Sequence, residues 1–230
     1  MRLRFLLFIY LFFVVNLEAQ KDQKTKQQER VESTHEVTVS ENSFVENLKN
    51  ADFTNVDFPE DVVIGDKKAP NTVIVYSSFT CSHCQEFHTD ELAKIIKKYV
   101  PIGKVKIILR QYIDDMGALE ASTLISCLCG NSSEKNIDTQ HKVFMNQKKW
   151  MESQDPKSKL RNMFVSFGFP MENVAKCVED KKIQASLMKE HKRATHDLKI
   201  RIIPAIVING KVYQGKLTME EIEKLLNFIK

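Results

Sequence analysis

Cys81-Ser82-His83-Cys84 is a Cys-X-X-Cys motif, and two thiols at that spacing can close and reopen a disulfide. The thiolate is the reactive form: a free cysteine has a pKa of about 8.5, lowered at a helix N-terminus, beside a cation or by a Cys-X-X-Cys partner. When protonated, His83 would be that cation, and its ring can also donate a hydrogen bond to sulfur. Cys84, three residues on, falls nearly one helical turn further on the same side, close enough for a disulfide yet less exposed. The pair therefore divides into an attacking Cys81 and a resolving Cys84. Whatever stabilises the reduced form raises the potential of the disulfide, so a stabilised thiolate drives the pair towards giving its disulfide away. An inert disulfide or half of a zinc site are the competing readings. Zinc would need a second ligand pair at short spacing; the gap to His191 and His196 is too long, and Cys127 and Cys129 stand too close together. Neither a metal nor a cofactor is expected. His88, His141, His191 and His196 read as surface or packing histidines, and Trp150 as a helix-packing residue rather than a binding platform.

The flanking elements must place Cys81 at a helix start. Residues 72–76, a β-branched apolar run without a breaker, read as a central strand buried on both faces. After Ser77-Ser78-Phe79-Thr80, apolar positions at Cys84, Phe87, Leu92, Ile95, Ile96 and Tyr99 predict one helix, ended by Pro101. Cys81 then meets amides that lack intrahelical partners and favour an anion. Residues 61–65 predict a first strand and 104–109 another, so the motif lies in a βαβ unit. From about 114 to 198 only helical patterns occur, over 118–129, 141–150, 157–167, 171–178 and 181–198. Strand signals return at 205–208 and 211–213 around Asn209-Gly210, a hairpin turn. A last helix runs to Ile229, with Thr218 and Glu221 spaced as a capping box.

The 230 residues carry a formal charge of +4 from 34 basic and 30 acidic side chains, and 43% are hydrophobic. That is a globular composition without the concentrated basic face a nucleic-acid binder needs. Lys148-Lys149 and Lys181-Lys182 read as solvated faces. Residues 1–19 read as a signal peptide: Arg2 and Arg4, an apolar run from Phe5 to Val15, and a small residue at Ala19. An uncleaved membrane anchor is the rival reading: Leu17 fits the cleavage pattern poorly, but the run is too short to span a bilayer comfortably, which takes about 20 residues. Residues 20–43 are polar and read as a linker or disordered arm. All five cysteines follow the leader, so export would place them in an oxidising compartment with at least one thiol left over.

With the motif at a helix start, Ile203-Pro204 before the late strand and helices inserted between them, residues 61–229 resemble the DsbA-like thiol-disulfide oxidoreductases of the thioredoxin superfamily. The resemblance implies an α/β thioredoxin fold with an inserted all-helical domain: 44–113 and 199–230 thioredoxin-like, 114–198 inserted. It makes Pro204 the cis-proline facing the active-site disulfide. Because proline lacks a backbone donor, the backbone of Ile203 is left to pair with an extended substrate chain beside Cys81. Ser82 departs from the proline that familiar oxidases carry inside the motif, where residues tune the redox poise. The implied function is a periplasmic, monomeric dithiol oxidase. Its implied partners are unfolded or partly folded exported proteins and a membrane thiol oxidase that reoxidises it. Disulfide isomerisation or reduction, or a non-enzymatic exported binding protein on the same scaffold, are the rival readings. On a helical wheel of 118–129, Cys127 and Cys129 flank the apolar stripe on opposite sides, so periodicity does not choose between them. Some relatives of the resembled group carry a disulfide in the helical domain near these positions; the resemblance thus implies Cys127 paired with Cys177 and Cys129 as the odd thiol, with three buried reduced cysteines acting as small hydrophobes the rival reading.

Overall fold

Val73, Ile74, Val75 and Tyr76 are all buried, alternating between two hydrophobic clusters. They form the middle of β2 (Asn71–Ser77), the central strand of a five-stranded sheet ordered β1-β3-β2-β4-β5. The computed structural model describes residues 58–130 and 132–228. The expected signal peptide and polar arm lie outside the described residues. β3 (Val105–Gln111) runs parallel to β2, from Asn71↔Val105 to Ser77↔Gln111, and β1 (Val62–Ile64) closes its far edge antiparallel. On the other side of β2, β4 (Ala205–Ile208) and β5 (Lys211–Gln214) form an antiparallel hairpin. Its turn places Asn209 and Gly210 at φ of 47° and 83°, the left-handed conformation this dipeptide tolerates.

Two helices follow β2 where periodicity predicts one: α1 (Ser82–Thr89) and α2 (Glu91–Tyr99) meet at Asp90, whose φ and ψ are −118° and −82°. Buried Phe87 and Leu92 are five residues apart, and five residues on a straight helix turn Leu92 about 140° away from Phe87. The break at Asp90 brings both back onto the sheet.

Between β3 and β4 every described element is helical: α3 (Met116–Cys129), α4 (Ser133–Met145), α5 (Gln147–Met151), α6 (Pro156–Ser166), α7 (Met171–Val178) and α8 (Lys181–His196). The helix expected over 141–150 is corrected to α4 and α5. Ser132 caps α4 by accepting the Lys135 N–H at 3.3 Å, and the first turns bury Asn136, Thr139 and Gln140, polar residues that hydrophobic periodicity passes over. The apolar stripe of α3 packs with Phe144, Trp150, Leu160, Phe164 and Val174 in a cluster that also takes in Phe79 and Cys84. The helical segment and the motif thus share one core. A disulfide joins Cys127 of α3 to Cys177 of α7, while Cys129 is a buried free thiol. The last helix, α9 (Met219–Leu225), ends earlier than expected, and Thr218 and Glu221 form the capping box at its start.

Candidate active site

β2 ends at Ser77, three residues turn the chain, and Cys81 becomes the N-cap of α1 with extended backbone (φ −87°, ψ 119°). That conformation folds Sγ back over the first turn, where it accepts the Cys84 N–H at 3.4 Å. Across the site the Cys81 thiol points at the Ile203 carbonyl oxygen, 3.9 Å away. Cys81 is partly exposed, whereas Cys84 is fully buried. A hydrogen bond from the Cys84 thiol is the main reason the Cys81 pKa falls, to about 6; the amides of Cys84 and His83 and the charge on His83 add to it, and burial opposes them. Cys84 moves strongly the other way, because its hydrogen bond to Cys81, burial and the Cys81 charge all hold the proton on its sulfur. His83, expected as the principal cation, is exposed and its charge is the smallest of these contributions. Backbone and partner thiol do most of the work of stabilising the thiolate.

Ile203 and Pro204 face the motif from the loop before β4. Their peptide bond is cis, Pro204 is buried, and its carbonyl accepts the Gly215 N–H at 2.9 Å. Gln214 holds the approach to this loop: its side-chain oxygen accepts the amides of Arg201 (2.7 Å) and Ile202 (3.0 Å), and its NH2 donates to the Lys199 carbonyl. The polar side chain of a hairpin strand thereby sets where the Ile203 backbone sits beside Cys81.

Residues 57–227 match the family described as Thioredoxin, a span that takes in both the motif and Pro204. The crystal structure of α-DsbA1 from Wolbachia pipientis is 25% identical and superposes with a TM-score of 0.69, covering 76% of this chain and 92% of that one. The chain belongs to the thioredoxin superfamily, on its DsbA-like branch. A relative in Rickettsia prowazekii, assigned as a protein-disulfide oxidoreductase, is 27% identical over 167 residues, which cover 73% of this chain and 60% of the relative. The chain therefore spans about 60% of the length of the rickettsial relatives it matches. The thiol:disulfide interchange protein DsbA of Yersinia pestis is 24% identical over 159 residues, or 69% of this chain and 74% of that protein.

The DsbA-like site has supports that sequence reasoning missed. Gln147 of α5 reaches from the helical segment to donate from Nε2 to the carbonyls of Phe79 and Cys81, both at 2.9 Å. Its one sequence signal is the three-residue spacing to Trp150, which puts it on the same buried face of α5. Asp114 accepts hydrogen bonds from the hydroxyls of Ser78 and Thr80, tying the loop before Cys81 to the end of the β3 side. Nothing in local pattern marks it. Of the residues read as packing groups, Trp150 is buried, His191 accepts the Ile113 N–H through Nδ1, and His88 stacks on Phe144 with ring centroids 4.4 Å apart. Among the described residues no group of three His, Cys, Asp or Glu could hold a metal ion.

Proposed function

We propose that this DsbA-like chain is a protein-disulfide oxidoreductase that donates the Cys81–Cys84 disulfide to exported proteins. A substrate thiolate attacks the Cys81 sulfur and Cys84 leaves; a second substrate thiolate then attacks the mixed disulfide, and Cys81 departs as the thiolate. The observation that carries this reading is the asymmetry of the pair, a partly exposed Cys81 with its pKa lowered to about 6 beside a buried Cys84 that keeps its proton. A good leaving group on the exposed sulfur favours release of an oxidised substrate. Ile203, whose carbonyl faces Cys81, would pair with the substrate backbone, and Pro204 would keep that stretch clear of the ladder. Export rests on the leader-like residues 1–19 and would make unfolded or partly folded exported proteins the substrates and a membrane thiol oxidase the reoxidising partner. Among the described residues no helix is long and apolar enough to cross a membrane.

Two measurements test the reading. The oxidised chain should restore activity to a reduced, unfolded secretory enzyme that needs its disulfides, and Cys81→Ala should abolish this. In equilibrium with glutathione the active-site pair should be reducible, whereas a structural disulfide has a potential below about −300 mV and resists. Resistance at that level would leave a binding protein with an inert disulfide.

A further inference from the structure

Resting on the oxidoreductase reading, each catalytic cycle requires Cys84 to gain a proton when it leaves as a thiolate and to lose one before it attacks again. Its sulfur is fully buried, so water cannot exchange that proton directly. We propose that Ser77 and His88 carry the Cys84 proton between its sulfur and solvent.

Ser77, the last residue of β2, is buried, and its side chain acts on the Cys84 thiol, favouring release of the proton that burial and Cys81 hold on the sulfur. His88 lies four residues beyond Cys84 on α1, hence on the same helix face. Its Nε2 is 2.9 Å from the Ser77 Oγ, and stacking on Phe144 sets the plane of the ring. On its other side His88 lines a cleft of about 220 Å³ shared with Leu92, Ala93, Lys97 and His141. Ala93, Lys97 and His141 are exposed, so this cleft opens to water. The chain of groups therefore runs from buried sulfur to hydroxyl to imidazole to solvent. The titratable groups around the ring are Cys84 on its own helix, Lys97 on α2 and His141 on α4. Burial, and then His141, depress the His88 pKa to about 3, which keeps the ring neutral. A neutral imidazole has one donor and one acceptor, so it can pass a proton by exchanging tautomers without building up charge.

In the resolving step the Cys84 proton moves to Ser77 Oγ while the hydroxyl proton moves to His88 Nε2, and the proton on Nδ1 passes to cleft water. The Cys84 thiolate attacks the Cys81 sulfur of the mixed disulfide. The Cys81–Cys84 bond forms as the bond to the partner sulfur breaks, and the partner leaves as a thiolate with the electron pair. When a substrate thiolate opens the Cys81–Cys84 bond, the protons run in reverse.

The reduced full chain is mixed with oxidised glutathione, quenched in acid and followed by mass spectrometry. Attack by Cys81 is read as the appearance of the glutathione adduct, and resolution by Cys84 as its loss. With Ser77→Ala and with His88→Gln, the ratio of resolving rate to attack rate should fall at least about tenfold at pH 7, as expected for loss of general acid-base help. The adduct should accumulate, and the deficit should shrink as pH rises and hydroxide replaces the relay. Glutamine keeps a hydrogen bond to Ser77 but has no second tautomer, so a merely structural His88 would leave His88→Gln near wild type. Circular dichroism and thermal melting establish that both variants are folded. If both resolve the adduct at the wild-type ratio across pH, the relay is overturned while the oxidoreductase reading stands. If wild-type Cys81 never forms the adduct, both fall together.

Discussion

At the scale of single residues, the two motif thiols titrate in opposite directions, and this has consequences for reactivity and for stability. The alkylation rate of Cys81 in the reduced protein should follow a titration centred near pH 6, whereas a free thiol titrates at about 8.5. For Cys81 the folded pKa lies below the unfolded one, so its contribution to stability is complete above the unfolded value and is lost as pH falls through about 6. The folded pKa of Cys84 is raised, so its contribution is complete below the unfolded value and is lost as pH rises beyond it. The oxidised protein has neither titration. The melting temperature of the reduced protein relative to the oxidised one should therefore climb from pH 6 to about 8.5 and decline above that. A difference that stays flat across this window would contradict the assigned thiols. Trapping provides a second check: Cys84→Ala, which lacks a resolver, should accumulate mixed disulfides with exported proteins on a non-reducing gel, while Cys81→Ala should not.

At the scale of elements, the start of α1 is held from outside as well as by its own cap. Gln147 ties α5 to the Phe79 and Cys81 carbonyls; the Cys81 carbonyl also accepts the Gln85 N–H, so Phe79 depends on the glutamine more. Gln147→Leu should cost about 1 to 3 kcal/mol, the penalty for leaving a buried acceptor unpaired, and lower the denaturation midpoint accordingly. An unchanged midpoint would mean that water replaces the bond. The capping box of α9 and the Asn209-Gly210 turn were legible in the sequence because each is a contact between residues a few positions apart. The N-terminal half of α4 was not legible, since its buried face is polar and meets partners on other elements: Gln140 with Gln111 of β3, and Thr139 with Cys129 of α3.

At the scale of the whole molecule, the Cys127–Cys177 disulfide cross-links α3 and α7 over 50 residues. In the chain-entropy account, closing a loop of that length stabilises the fold by about 4 kcal/mol. Replacing both cysteines with alanine should lower the unfolding free energy by about that amount in a denaturant titration, while exchange with glutathione at Cys81 persists. A loss of exchange in the folded variant would show that the cross-link also shapes the site. The sequence by itself determined the succession of strands along the chain, the helical stretch between them, the motif at a helix start and the late hairpin, because each rests on hydrophobic period, breakers or caps within about one element. Helical phase placed Cys127 and Cys129 on either flank of one stripe, and only the packing of α7 against α3 brings Cys177 to Cys127. Likewise Gln147 meets Cys81 across 66 residues, Asp114 meets Thr80 across 34, and His88 meets Ser77 across 11. Periodicity tells which side of an element faces the core. Which side chain stands opposite is decided by how the elements pack, and tertiary structure alone supplies that.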